Sequence, residues 1–254
     1  MATLQQTVFE SSTPTAASPL PISTSTTAFQ RLALAVQHRS TSKPEDEPVI
    51  LAITFGLPLR TILDASDHDA RLGALLVLLR DVPADVVFAG AWPGERCARA
   101  GFRWAPRSLL GFPRIEPRAT AFGPGAVCDE LGLHACYQGL LLDTSAGGGG
   151  RVLTGERWYA VDEMSGMKYE FRPHGEGGAV VPERCALLFR AYGIGGDTAV
   201  ASIVREGQEV GQDEVEVIVV GHCVMVASGG LECADGVPIL QGRLTTGDQR
   251  WHVT

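Results

Sequence analysis

Glu214-Val215-Glu216-Val217-Ile218-Val219-Val220-Gly221-His222-Cys223-Val224-Met225-Val226-Ala227 is the stretch on which the fold turns. Val and Ile suit the pleated surface of a sheet better than the crowded turn of a helix. Two strands are expected, Glu214 to Val220 and Cys223 to Ala227, with Gly221-His222 as a turn or bulge that lets paired strands fold back. The charge-free part, Val217 to Gly230, is well short of the roughly 20 residues that a membrane-spanning helix needs.

Working outward, the rest of the chain beyond residue 100 has the same character. Gly and Pro punctuate it every few residues, and helical periodicity is lost. Strands are expected at Leu133 to Leu142, Trp158 to Val161, Lys168 to Phe171, Cys185 to Ala191, Val200 to Arg205 and Gln249 to Val253. So many short strands imply a small antiparallel sandwich or a barrel-like sheet. The Gly147 to Gly150 run reads as a flexible insertion.

Before residue 100 the period is helical. Phe29, Leu32, Ala33 and Val36 recur at helix spacing behind a Thr27 cap, giving a helix that ends near Arg39. Ser42 and Glu45 have capping-box spacing, and a second helix is expected from about Asp46 to a stop near Gly56, since Pro48 is tolerated only in the first turn. A third should run from about Asp69 to Arg80, with Leu72, Leu75, Leu76 and Leu79 on one face and Asp67 or Asp69 as cap. Val86-Val87-Phe88 reads as a buried strand or extended segment. Residues 1–27, rich in Ser, Thr, Pro and Ala, have too little apolar surface to offset the entropy of ordering, and read as a disordered tail.

The fold class is therefore α+β: a disordered tail over 1–27, a short helical lobe over 28–95, and a mainly antiparallel β-rich lobe over 96–254 packed on it. Trp104 is the expected anchor between them. A chain of 254 residues with 45% hydrophobic residues can bury a substantial core without metals or disulfides. Its formal charge of -8 repels phosphate, which argues against a surface built for nucleic acid or anionic lipid. The cysteines at 97, 128, 136, 185, 223 and 233 form no CxxC pair and no disulfide or zinc spacing, so they read as free thiols in a reducing, cytoplasmic setting. No secretory signal is visible at the start.

The search for chemistry yields no catalytic, cofactor-binding or metal-ligating residue. No Gly-x-Ser-x-Gly elbow exists, and Ser165 reads as part of a hairpin turn. Gly193-Ile194-Gly195-Gly196-Asp197 lacks the lysine of a phosphate loop, and Gly123-Pro124-Gly125 has its backbone fixed by proline; both read as turns. His134-x-Cys136 and His222-Cys223 come nearest to a metal constellation, because positions 134 and 136 share a sheet face. Buried thiols and satisfied histidines explain the same residues without an ion. The acidic groups at Glu45-Asp46-Glu47 and at Asp64, Asp67 and Asp69 fit helix starts. The group at Glu206, Glu209, Asp213, Glu214 and Glu216 reads as the solvated end of a hairpin. In Gly101-Phe102-Arg103-Trp104-Ala105-Pro106-Arg107, an arginine over the indole, or the basic pair meeting an anion, competes with plain packing of the tryptophan.

Three segments in order carry a resemblance: Arg39-Ser40-Thr41-Ser42-Lys43-Pro44-Glu45-Asp46-Glu47, then Gly101 to Leu110, then Gly132-Leu133-His134-Ala135-Cys136-Tyr137-Gln138-Gly139. Together they resemble the region downstream of the HET domain in fungal heterokaryon incompatibility proteins. The likeness covers about residues 28 to 142 and thins to Arg157-Trp158-Tyr159-Ala160-Val161 beyond. Full-length relatives place the death-triggering HET domain ahead of this region, whereas this chain begins with a low-complexity tail. The resemblance implies an accessory or regulatory module of non-self recognition, without catalysis, that engages a protein partner such as a HET-domain protein. It carries no site residues across. The alternative expectation is a small-molecule-binding protein or enzyme with a pocket between the lobes near Arg103, Trp104 and Arg107.

Overall fold

The computed structural model describes residue 36 and residues 41–91, 96–110, 125–143, 151–153, 157–173, 179–190, 197–206, 214–229, 231–233, 237–245 and 249–254. The expected tail over 1–27, the Gly147 to Gly150 run and, apart from the buried and helical Val36, the first expected helix lie outside them.

The stretch Glu214 to Gly229 is a single strand of 16 residues, not a hairpin. Its partner pairs Val200 with Gly221 but Ala201 with Val219, so Val220 is an extra residue and the Gly221 region is a bulge without a reversal. The bulge flips the side-chain alternation. Val215, Val217 and Val219 before it belong to one hydrophobic cluster, and Cys223 and Met225 after it belong to another.

Thirteen strands are described: β1 (Asp81–Pro83), β2 (Gly125–Cys128), β3 (Leu133–Cys136), β4 (Gln138–Asp143), β5 (Arg151–Leu153), β6 (Trp158–Asp162), β7 (Lys168–Pro173), β8 (Ala179–Val181), β9 (Arg184–Phe189), β10 (Asp197–Glu206), β11 (Glu214–Gly229), β12 (Ile239–Leu244) and β13 (Arg250–Val253). In the main sheet the order β11-β10-β9-β4-β12-β6-β7 returns to β11, closing a seven-stranded barrel. Closure removes the exposed sheet edges along that circuit. The long strand is the seam. Its second half, from Cys223 to Gly229, pairs with β7, whereas Glu214 to Val217 pairs with β13 and begins a side sheet through β3, β2 and β1. The β11–β13 and β12–β6 pairs are parallel, and the other pairings within named strands are antiparallel.

The expected strand Leu133 to Leu142 is broken at Tyr137, which sends β3 to the side sheet and β4 into the barrel. Val86-Val87-Phe88 is buried as expected but lies in a 3-10 segment, Ala84–Ala91. The extended piece is β1 just before it, an edge strand ending in Pro83, where a missing amide is tolerated.

The helices are α1 (Glu47–Phe55), α2 (Leu59–Leu63) and α3 (His68–Leu79). Gly56 stops α1 in the left-handed conformation at φ 66°. Asp67 caps α3 by accepting from the Ala70 amide at 2.8 Å. These helices cover the outside of the barrel wall and the side sheet, so the mixed α+β character stands while the strands form a barrel instead of a separate lobe. The outer cluster joins Leu51, Ile62, Leu72, Leu75 and Leu76 of the helices to Ala186, Leu188, Ala199, Val217 and Trp251 of the strands. Trp104 is fully buried in this cluster and donates to the Gly101 carbonyl at 2.8 Å, as an anchor should. The inner cluster fills the barrel with Trp158, Phe171, Cys185, Leu187, Phe189 and Leu240 among others. β9 serves both clusters, which explains the uninterrupted apolar run from Cys185 to Phe189.

Candidate functional site

Two histidines singled out by the sequence occupy contrasting surroundings, and they are not brought together. His222 faces out of the barrel because of the bulge. Its Nε2 is 3.0 Å from the Val87 carbonyl and 2.8 Å from Arg96 Nη2, which also lies 2.9 Å from Nδ1. Arg96 Nη1 donates to the carbonyls of Arg103 and Trp104 at 3.0 and 3.2 Å. Burial among these neutral acceptors lowers the guanidinium pKa to about 10. Cys223 next door points into the barrel and is fully buried, and burial raises its thiol well above the usual value. Among the described residues, His222-Cys223 and His134-Cys136, the two pairs nearest to a metal constellation in the sequence, do not come together as one.

His134 instead lies between two carboxylates. Its Nδ1 is 2.9 Å from Glu214 Oε1, on β11, and its Nε2 is 3.1 Å from Asp129 Oδ2, in the turn between β2 and β3. Burial alone would lower the imidazole pKa, but the hydrogen bond and charge of Glu214, with the charge of Asp129, outweigh it and raise the value. Asp129 is itself fixed, because its Oδ1 accepts from the amides of Leu131 and Gly132 at 2.8 and 3.1 Å. Burial raises its pKa and these backbone amides lower it, with the net shift downward. His252, directly opposite His134 in the β3–β13 register, stacks on it with ring centroids 4.4 Å apart and planes 4° apart. One ligand atom each from Asp129, His134 and His252 lies within 4.8 Å of the others.

Sequence reasoning missed Asp129, Glu214 and His252 as partners of His134. Asp129-x-x-Gly132 ahead of a strand was the available signal, an Asx-type turn. The register that places residue 252 against residue 134 has no local trace in the sequence.

The remaining candidates resolve individually. Ser165 is exposed in the β6–β7 turn and its hydroxyl donates to Asp162, with no histidine in the arrangement. Asp162 also accepts from the amides of Ser165 and Leu244 at 3.0 and 2.9 Å, and the Ser165 hydroxyl first, then Leu244, lower its pKa. Glu47 is buried and ties α1 to the Trp104 segment by accepting from the Ser108 hydroxyl at 2.7 Å and the Leu109 amide at 2.6 Å. Asp69 accepts from the Ala98 amide at 2.8 Å and meets Arg107 at 3.3 Å, so it clamps that segment onto α3. Asp64 pairs with exposed Arg60.

The cation–π contact falls on Phe102, with Arg99 at 5.1 Å from the ring centre, and not on Trp104. Residues 193–196, 123–124, Glu209 and Asp213 lie outside the described residues. A shallow cavity of about 320 Å³ opens beside Glu163, Arg184, Gln241 and Arg243, away from Trp104.

Compared with known proteins, the chain matches no family model, no curated protein and no solved structure. Among the described residues, no helix is long and apolar enough to cross a membrane.

Proposed function

We propose that this chain is a non-catalytic accessory or regulatory module that docks on a protein partner, in the manner implied by its resemblance to the region downstream of the HET domain in heterokaryon incompatibility proteins. A HET-domain protein is the partner of choice, the setting is cytoplasmic, and the process is non-self recognition leading to programmed cell death. The supporting observation is helix α1. Its sequence, Glu47-Pro48-Val49-Ile50-Leu51-Ala52-Ile53-Thr54-Phe55, is apolar almost all round, whereas a helix lying on a core needs only one apolar stripe.

The inward side, with Leu51 and Ala52, is buried, while Ile50 and Ile53 remain 53% and 60% exposed and Leu63 of the adjoining helix α2 remains 53% exposed. Apolar side chains grouped in this way mark a contact surface more often than isolated ones do. The alternative of a ligand pocket beside Trp104 has less behind it, since that indole is fully buried against the outer cluster.

The reading is tested by capture of HET-domain proteins on the purified chain. Wild type should retain one, and Ile50→Glu/Ile53→Glu should lose it by about tenfold or more in affinity while the circular dichroism spectrum is unchanged. Failure of wild type to bind any HET-domain protein would remove the proposal's support.

A further inference from the structure

We infer that Asp129, His134 and His252 form a binding site for one divalent transition-metal ion of the zinc class, with Glu214 orienting His134 as its outer partner. The site is assembled from three separate pieces of chain. The β3–β13 register sets the two imidazoles opposite each other on one face of the side sheet. The turn before β3 adds a carboxylate whose Oδ1 is occupied by two backbone amides, which leaves Oδ2 aimed at His134 Nε2. Glu214, on β11 beside β13, accepts at His134 Nδ1. A histidine that donates one nitrogen to a carboxylate and turns the other toward an acidic group has the arrangement by which proteins fix metal-binding imidazoles.

His252 supplies the independent observation. Its Nε2 is shielded from water and has no hydrogen-bond partner, an unfavourable state for a buried polar group that calls for an explanation. The space beside that nitrogen is kept by Gly132, where a Cβ would lie 2.9 Å from it and 2.5 Å from the Val253 carbonyl oxygen. A metal ion accepting the Nε2 lone pair gives this nitrogen its partner.

The competing explanation is a purely structural triad, in which a protonated His134 bridges Asp129 and Glu214 and stacks on His252. Metal binding exchanges a proton for the ion. The Nε2–H bond of His134 breaks, its proton leaves to water, and lone pairs of His134 Nε2, His252 Nε2 and Asp129 Oδ2 form the new bonds. The rings, parallel as they stand, must tilt so that both lone pairs converge about 2.0–2.1 Å from the ion. Two neutral imidazoles, one bound carboxylate and the outer Glu214 balance a dication. Two nitrogens and one oxygen favour zinc, cobalt or iron in the divalent state over calcium and magnesium, which prefer all-oxygen sites.

The test uses the full chain, stripped with a chelator and titrated with Co²⁺ alone, then with Zn²⁺ in competition. The expected result is one equivalent of Co²⁺ bound in the micromolar range or tighter, with visible bands of nitrogen and oxygen ligation, displaced by Zn²⁺. Affinity should fall at least about tenfold in His252→Ala and Asp129→Asn, about 10–100-fold in Glu214→Gln, and not at all in His222→Ala. Imidazole NMR of the wild type provides a readout that does not depend on any variant folding: the His134 and His252 signals should broaden with Co²⁺ before any others. Absence of saturable micromolar binding, affinity unchanged in both ligand variants, or a thiolate-to-cobalt charge-transfer band placing the ion on cysteine would each overturn the inference.

Discussion

Inside the barrel, Trp158 and Phe171 stack at 4.5 Å, and Phe171 lies 6.3 Å from Phe189, so aromatic rings fill the space that a larger barrel would leave to a ligand. Outside it, small strand residues such as Ala186, Ala199 and Ala126 admit the leucines of α3 and the indole of Trp104. The interior is closed on itself by the strand circuit. The outer layer has rims, and His134, His252, Arg96 and His222 all lie there. The difference teaches where the proposed functions belong in this molecule: the interior is filled by its own side chains, and the proposed docking face and metal site both lie in the outer layer.

Adjacent residues of β9 give the sharpest way to break that comparison. Leu187 faces the interior and Leu188 the outer layer, and both are fully buried. Leu187→Ala and Leu188→Ala should each cost about 2–5 kcal/mol in urea unfolding. A change at one position that leaves stability within about 0.5 kcal/mol of wild type would mean that one of the two cores contributes little.

Asp162 tests the rim of the barrel, where its carboxylate joins the β6–β7 turn to Leu244, the last residue of β12 and two beyond that strand's final pair with β6. Its folded-state pKa is depressed, so its stabilisation is complete above the ordinary aspartate value of about 3.9 and is lost as pH falls through the lower folded value. Asp162→Asn should lose about 1–3 kcal/mol at neutral pH and show a flatter decline in acid. An acid decline as steep as wild type would assign the pH dependence to other carboxylates.

How much of this was readable beforehand differs between the two regions for the same physical reason. Helix α3 announced itself through its Asp67 cap and leucine spacing and α1 through its Gly56 stop, all of which are local. The capping box expected from Ser42 and Glu45 does not form, because a 3-10 turn over Pro44–Asp46 precedes α1. The strands at Trp158, Lys168 and Cys185 were equally plain from their β-branched and apolar runs. β12 was missed, since Ile239-Leu240-Gln241-Gly242-Arg243-Leu244 follows Pro238 and holds a glycine at its centre. Gly221 read as a reversal because glycine permits both a turn and a bulge, and only the partner strand β10 decides between them. The His134 cluster was invisible for a similar reason. Its four residues lie at positions 129, 134, 214 and 252, and strand register alone unites them.

The account rests on β11 serving both cores at once, and native-state hydrogen exchange along that strand examines this most directly. Amides in its first half, around Val217 and Val219, and in its second half, around Cys223 and Met225, are expected to open with one shared free energy. Trp104→Ala should lower both together by about 3–5 kcal/mol. Protection that persisted around Cys223 and Met225 in that variant, while Val217 and Val219 exchanged freely, would contradict it and show the barrel and its outer layer to be separate cooperative units.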